Sequence, residues 1–203
     1  MSVIGTIRDA ITGLVASVEA RTTTPTGNAL NVQIGPGDPI SNMPVVIDAA
    51  HHHLHEGETH QYTYTPTAIA KNANLDHRFV VPTLTATTRT PHITIELDST
   101  GESWLYLYET PTTSANGTLQ TVYNKNRNSA TTPGSTVYLA PTVTAVGTFL
   151  SAWIVGSGEK SGGSGRESIE WDLKSNTTYL IRVTAKNANN ICLRFIWYED
   201  LGT

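Results

Sequence analysis

The sequence predicts an all-β protein: an antiparallel β-sandwich of jelly-roll-like topology, preceded by a short N-terminal helix and an extended Pro/Gly-rich connector. Three observations carry this. Beyond Pro44 the chain is a series of β-branched and aromatic runs bounded by turn residues. Within the runs the hydrophobic period is two. No helical stretch separates them, so the crossover helices that a parallel sheet requires are missing.

In chain order, residues 1–21 read as an amphipathic helix. Ile4, Ile7, Ile11, Leu14 and Val18 recur in steps of three and four and form one stripe, with Arg8, Asp9, Thr12 and Ser17 opposite. The spacing matches heptad a and d positions, and β-branched residues at both favour three-stranded association. A helix this short is marginal alone, so the stripe either packs on its own domain or gathers copies of the chain as an oligomer interface, with a trimer favoured. Residues 22–44 form the connector. Thr22-Thr-Thr-Pro25, Gly35-Pro-Gly-Asp-Pro39 and Asn42-Met-Pro44 cannot extend a helix, and Leu30, Val32 and Ile34 alternate as a lone short strand able to lie along a neighbouring surface.

Residues 45–203 form the sandwich. Its strand signals are 45–47, 60–65, 79–81, 93–97, 104–108, 137–139, 148–155, 169–173, 179–184 and 191–198. Ile93, Ile95 and Leu97 share one face against Thr94 and Glu96, and Tyr179, Ile181 and Val183 oppose Arg182 and Thr184. A Thr/Asn/Ser-rich tract at 111–135 and a Gly-rich stretch at 156–165 read as long loops. No repeat of 20 to 50 residues is expected, which argues against a solenoid or propeller.

Composition narrows the function. Among 203 residues only 15% are charged and the net charge is −4, so the surface is built from hydroxyls and amides, and phosphate neutralisation has no basic run to work with. No nucleic-acid partner is expected. No segment approaches the roughly 20 apolar residues of a membrane span, and Asp9 interrupts the only candidate leader. Cys192, the single cysteine, excludes an intrachain disulfide framework and reads as a small buried thiol. The sequons at Asn116 and Asn176 are read as chance in a chain rich in Thr and Asn.

The most suggestive constellation is His51-His-His-Leu-His55-Glu56-Gly-Glu58, with His60 behind it. On an extended strand His51, His53 and His55 would project from one face about 6.6 Å apart, spacing at which neutral imidazoles can share a divalent metal and activate water. The competing reading, which is preferred, takes Glu56-Gly57-Glu58 as the turn ending a strand and the histidines as hydrogen-bonding surface or interface groups. His77 and His92 sit in ordinary strand contexts. There is no Gly-x-Ser-x-Gly elbow and no Gly-Lys-Ser/Thr phosphate loop, so no catalytic residue, metal or cofactor is assigned. Trp104, Tyr106 and Tyr108 alternate on one strand face and read as sandwich core, with a sugar-stacking platform as the alternative.

The chain also resembles the auxiliary virion proteins of tailed bacteriophages, a group of capsid decoration and head-associated β-rich modules. The resemblance rests on blocks in order over about residues 45–200. They are His52-His-Leu-His-Glu-Gly57, Leu105-Tyr-Leu-Tyr-Glu109, Tyr123-Asn-Lys-Asn-Arg-Asn128-Ser129, Gly156-Ser-Gly, Arg166-Glu-Ser-Ile-Glu-Trp171, Leu173, Asn176-Thr-Thr-Tyr-Leu180 and Leu193-Arg-Phe-Ile-Trp-Tyr-Glu199. It implies a sandwich with protruding Asn/Arg-rich and Gly-rich loops and no catalytic residues. The expectation is therefore a non-enzymatic structural protein made in the host cytoplasm and carried on the capsid exterior. Its partners would be the major capsid protein, met through the connector at Leu30, Val32 and Ile34, and copies of itself, met through Ile4, Ile7, Ile11, Leu14 and Val18. The alternatives are a glycan-binding module of a tail or host-attachment device and, behind it, a metal-dependent enzyme built on the histidines.

Overall fold

The computed structural model describes residues 4–8, 15–19, 49–66, 68–84, 90–156, 163–166 and 170–199. The chain divides into two units, Met1–Ile47 and Asp48–Thr203. In the first, β1 (Ile4–Arg8) pairs antiparallel with β2 (Val15–Glu19), Ile4 opposite Glu19 and Arg8 opposite Val15. The expected N-terminal helix is therefore corrected to strands. Its three-and-four spacing was real, but Ile, Val and Thr lose side-chain freedom in a helix, Gly5 weakens one further, and β-branched residues favour a pleated ladder. A ladder of period two cannot keep residues three apart on one face, so the stripe through Ile4, Ile7 and Val18 loses its helical basis. Ile11, Leu14, the connector residues Leu30, Val32 and Ile34, and the strand expected at 45–47 lie outside the described residues.

The second unit opens with α1 (Ala49–Glu56), followed by β3 (Thr59–Tyr64), β4 (Asn74–Val80), β5 (His92–Ser99), β6 (Ser103–Glu109) and β7 (Thr112–Ala115). Then come β8 (Thr118–Leu119), β9 (Tyr123–Asn124), β10 (Thr136–Leu139), β11 (Thr142–Ala145) and β12 (Thr148–Val155). The chain continues through β13 (Gly163–Arg166), β14 (Trp171–Asp172), β15 (Thr178–Ala185) and β16 (Ile191–Tyr198). Sheet I runs β13-β5-β16-β3-β9, with β14 also on β5, and sheet II runs β12-β6-β15-β4-β10-β8. All pairings are antiparallel and the sheets pack face to face, so the all-β sandwich expected from period-two runs is what forms.

The core lies between the sheets. Ile93, Ile95 and Leu97 of β5 and Leu193, Phe195 and Trp197 of β16 meet Phe79 of β4, Leu105 and Leu107 of β6, and Ile181 and Val183 of β15, all fully buried. Each such side chain stabilises the fold by about 2 kcal/mol through area removed from water. A one-residue slip of any of these strands would turn that set toward solvent, which fixes the register.

The tract at 111–135, expected as loop, carries β7, β8 and β9, and its first part shares a short pattern with a later segment. Glu109-Thr-Pro-Thr-Thr-Ser-Ala-Asn-Gly-Thr118 and Leu139-Ala-Pro-Thr-Val-Thr-Ala-Val-Gly-Thr148 share Pro, Thr, Ala, Gly and Thr at matching places. The two segments run antiparallel: β6 pairs β12, β7 pairs β11 and β8 pairs β10. Each turns a corner at a left-handed residue before proline, Thr110 (φ 55°) or Ala140 (φ 55°). Against each corner lies the other segment's glycine. A Cβ on Gly147 would meet the Glu109 carbonyl oxygen at 2.2 Å, and one on Gly117 would meet that of Leu139 at 2.2 Å. With φ of 85° and 87°, both positions exclude a side chain by contact and by conformation.

Candidate functional site

The alternation of Ser103-Trp-Leu-Tyr-Leu-Tyr-Glu109 turns Leu105 and Leu107 into the core and Trp104, Tyr106 and Tyr108 to the outer face of sheet II, where they are half-buried. The expectation that these aromatics are core is thereby corrected. Both sets on β6 are apolar, and the aliphatic set is the one that fits between the sheets. Of the four tryptophans only Trp197 is fully buried, while Trp153 and Trp171 pack at the core margin.

The outward rings form a continuous stripe. Trp104 and Tyr106 lie 6.1 Å apart, Tyr106 and Tyr108 6.0 Å, and Tyr108 and Phe149 of β12 5.9 Å. Phe149 is 57% exposed and Ile154, opposite Trp104, is 58% exposed. Polar groups steady the stripe. Trp104 Nε1 donates to Glu102 at 2.8 Å, and Lys186 Nζ sits 4.6 Å from the Trp104 ring centroid. Partial burial, and then the neighbouring Tyr108, push the Tyr106 hydroxyl above its ordinary pKa. One strand inward, Arg182 stands opposite Tyr106 and donates from Nε and Nη2 to both carboxylate oxygens of Asp76, at 2.7 and 2.8 Å. That fork holds the guanidinium charged, with its pKa raised chiefly by the Asp76 hydrogen bonds.

The histidine cluster folds otherwise than expected. Residues 49–56 contain no β-branched side chain, and they form α1 instead of a strand. The helix ends where the Gly57 amide donates to Leu54 at 3.2 Å and the Glu58 amide to His53 at 3.0 Å, so Glu56-Gly57-Glu58 ends a helix and not a strand. The helix keeps His51 and His55 together one turn apart and turns His53 away from them, so the three imidazoles that a strand would have aligned do not share a face. His51 and His55 are exposed with Nε2 atoms 2.8 Å apart, while His53 is buried against the sheet with Nδ1 on Glu58. His53 stacks on Tyr198 at 4.3 Å, and His92 stacks on Tyr198 at 4.9 Å. Tyr198 Oη donates to Glu170 at 2.9 Å. An open cleft of about 330 Å³ lies beside this stack, lined by His51, Leu54, His92, Lys125 and Glu170. Among the described residues no three His, Cys, Asp or Glu side chains converge as a metal site.

The remaining singled-out residues lie apart from both regions. His60 and His77 are fully buried, and burial lowers their pKa values to about 4 and about 3. Cys192 is corrected from core to the half-buried outer face of β16, since Ile191 and Leu193 take the inward positions; its Sγ accepts from Arg194 Nη1 at 3.4 Å. The Asn-rich segment, expected to protrude, is tied down. Asn124 Nδ2 donates to the Gly57 carbonyl at 2.6 Å, Asn126 Nδ2 to that of His55 at 2.9 Å, and buried Glu199 accepts from the Ser135 amide and hydroxyl. Sequence reasoning missed Glu199 and Ser135, whose pairing spans 64 positions. Among the described residues no helix is long and apolar enough to cross a membrane. No protein-family model matches the sequence, no curated protein matches it, and no solved structure matches its fold.

Proposed function

We propose that the chain is a non-enzymatic structural protein of a tailed-phage particle, decorating or cementing the capsid exterior through contacts with the major capsid protein and with copies of itself. The observation that carries this reading is the outward stripe Trp104–Tyr106–Tyr108–Phe149, an aromatic face on a sandwich. Aromatic side chains presented by paired strands lose little entropy on docking, and neutral contacts are not weakened by salt. The sandwich in this reading is a jelly roll. Counting β3, β4, β5, β6, β12, β13 with β14, β15 and β16 as its principal strands, first pairs with last, second with seventh, third with sixth and fourth with fifth. Self-association stays in the proposal, but the trimer was argued from a helix that residues 4–8 and 15–19 do not form. The metal-enzyme alternative is not carried forward, because α1 disperses the three-histidine face it needed.

Co-sedimentation with empty capsid shells tests the proposal. Binding is expected, and Tyr106→Ala with Tyr108→Ala should weaken it at least tenfold while leaving the fold intact. Absence of binding, or binding indifferent to both substitutions, refutes it. The same stripe also favours the glycan-binding reading, since sugar stacking needs outward rings. A glycan array on which the chain binds through Tyr106 and Tyr108, together with no binding to shells, would put that reading first.

A further inference from the structure

We infer that β12 is a self-association edge: two copies of the chain pair their β12 strands antiparallel about a twofold axis, joining two sandwiches through one continuous sheet. The contrast among the four edges of sheets I and II carries the argument. Sheet II ends on β12 and β8, and sheet I on β13 and β9. β8 and β9 are two residues long, and β13 is four residues long and includes Arg166. β12 is eight residues, Thr-Phe-Leu-Ser-Ala-Trp-Ile-Val, without a charge or a proline. It is bonded along one side to β6, and among the described residues no strand is hydrogen-bonded to the other, although β13 of sheet I approaches it without pairing. Folded proteins normally blunt such an edge with charge, proline, shortness or a cover, and among the described residues β12 carries a bulge between Phe149 and Ser151 but no charge, proline or paired strand on its open side. The regular stretch after the bulge, Ser151–Val155, is the part available for pairing.

A second copy fits that stretch for two reasons. Antiparallel pairing about a dyad is self-complementary, and β12 brings no like charges together across the axis. Ala152 and Ile154 share the outer face, opposite Tyr106 and Trp104 of β6, while Ser151 and Val155 oppose Leu107 and Ser103 on the inner face. A dyad through Trp153 therefore sets Ala152 against the partner's Ile154, small against large, and Ser151 against the partner's Val155, with every pair on a matching face. The join is small, covering little more than the exposed parts of Ala152 and Ile154, well short of the roughly 800 Å² per partner of a stable complex. Such a contact is weak in free solution and strengthened among copies concentrated on a common surface. It belongs to the free chain and does not depend on the capsid reading.

Sedimentation of the full chain from about 1 to about 200 µM tests the inference. Wild type should pass from monomer to dimer over that range. Ala152→Lys and Ile154→Glu should each weaken association at least about tenfold, with far-UV circular dichroism unchanged, since both positions are exposed. The double variant sets opposite charges face to face across the dyad and should recover association to within about threefold of wild type. A wild type monomeric throughout, single variants that associate as wild type does, or a double variant as weak as the singles would overturn the inference. Loss of shell binding with the dimer intact would count against the capsid proposal alone.

Discussion

Acid should weaken this protein through two core histidines, and the size of the effect follows from their surroundings. His77 is ringed by Tyr62, Tyr64 and Phe195, its Nε2 3.1 Å from the Tyr62 hydroxyl and its Nδ1 without a hydrogen-bond partner among the described residues. His60 lies against Trp197 at 5.9 Å, and neither of its ring nitrogens has such a partner among the described residues. Among the described residues no charge stands by to stabilise an imidazolium, and burial lowers the two pKa values to about 3 and about 4, against 6.5 for an unhindered histidine. The folded state thus binds fewer protons than the unfolded state below about pH 6.5, and stability falls as pH falls. Each group contributes up to about 1.4 kcal/mol per pH unit, or about 2 kcal/mol between about pH 7 and about pH 5. The pair therefore accounts for roughly 4 kcal/mol, a large share of the 5 to 15 kcal/mol typical of a domain. Urea unfolding at a series of pH values reads the slope directly. His77→Gln, which cannot titrate but can still bond the Tyr62 hydroxyl, should halve that slope whatever it costs at neutral pH. A wild-type stability that is flat between about pH 7 and about pH 5, or a variant with the wild-type slope, would refute the reasoning.

Other outcomes follow from the fold. On β6, Leu107→Ala should cost about 2 to 5 kcal/mol in chemical denaturation, while the adjacent Tyr106→Ala should cost well under that, because one side chain is enclosed and the other rests on the surface. Gly117→Ala and Gly147→Ala should each lower stability by at least about 2 kcal/mol, and by similar amounts, since the two corners are built alike; calorimetry of both variants checks this. Ser135→Ala removes the hydroxyl donor from the buried Glu199 carboxylate and should cost about 1 to 3 kcal/mol, with faster hydrogen exchange in residues 124–135.

The sandwich was legible because long strands with one aliphatic face announce themselves, as Ile93-Thr-Ile-Glu-Leu97 and Ile191-Cys-Leu-Arg-Phe-Ile-Trp-Tyr198 do. At residues 4–19 the hydrophobic spacing indicates a helix and the β-branched composition indicates strands, and in the described stretches 4–8 and 15–19 the composition decides. At 49–56 the strands nearby suggested a strand, although Ala49-Ala-His-His-His-Leu-His-Glu56 lacks β-branched residues and is followed by a glycine suited to end a helix. The stripe on sheet II was visible as a spacing, but its direction was not.

Alternation along a strand determines two sets of side chains on opposite faces, and the sequence alone fixed those sets for β5, β6, β15 and β16. Which set is enclosed depends on what the opposing sheet presents. On β6 both Leu105 with Leu107 and Trp104 with Tyr106 and Tyr108 are apolar enough for a core, and only packing into the core between the sheets turned the aromatics outward. Strand order was likewise settled in three dimensions. The pairing of β3 with β16, or of Ser135 with Glu199, joins residues far apart in the chain, and no local pattern encodes the partner of a strand whose edges are interchangeable until the core closes.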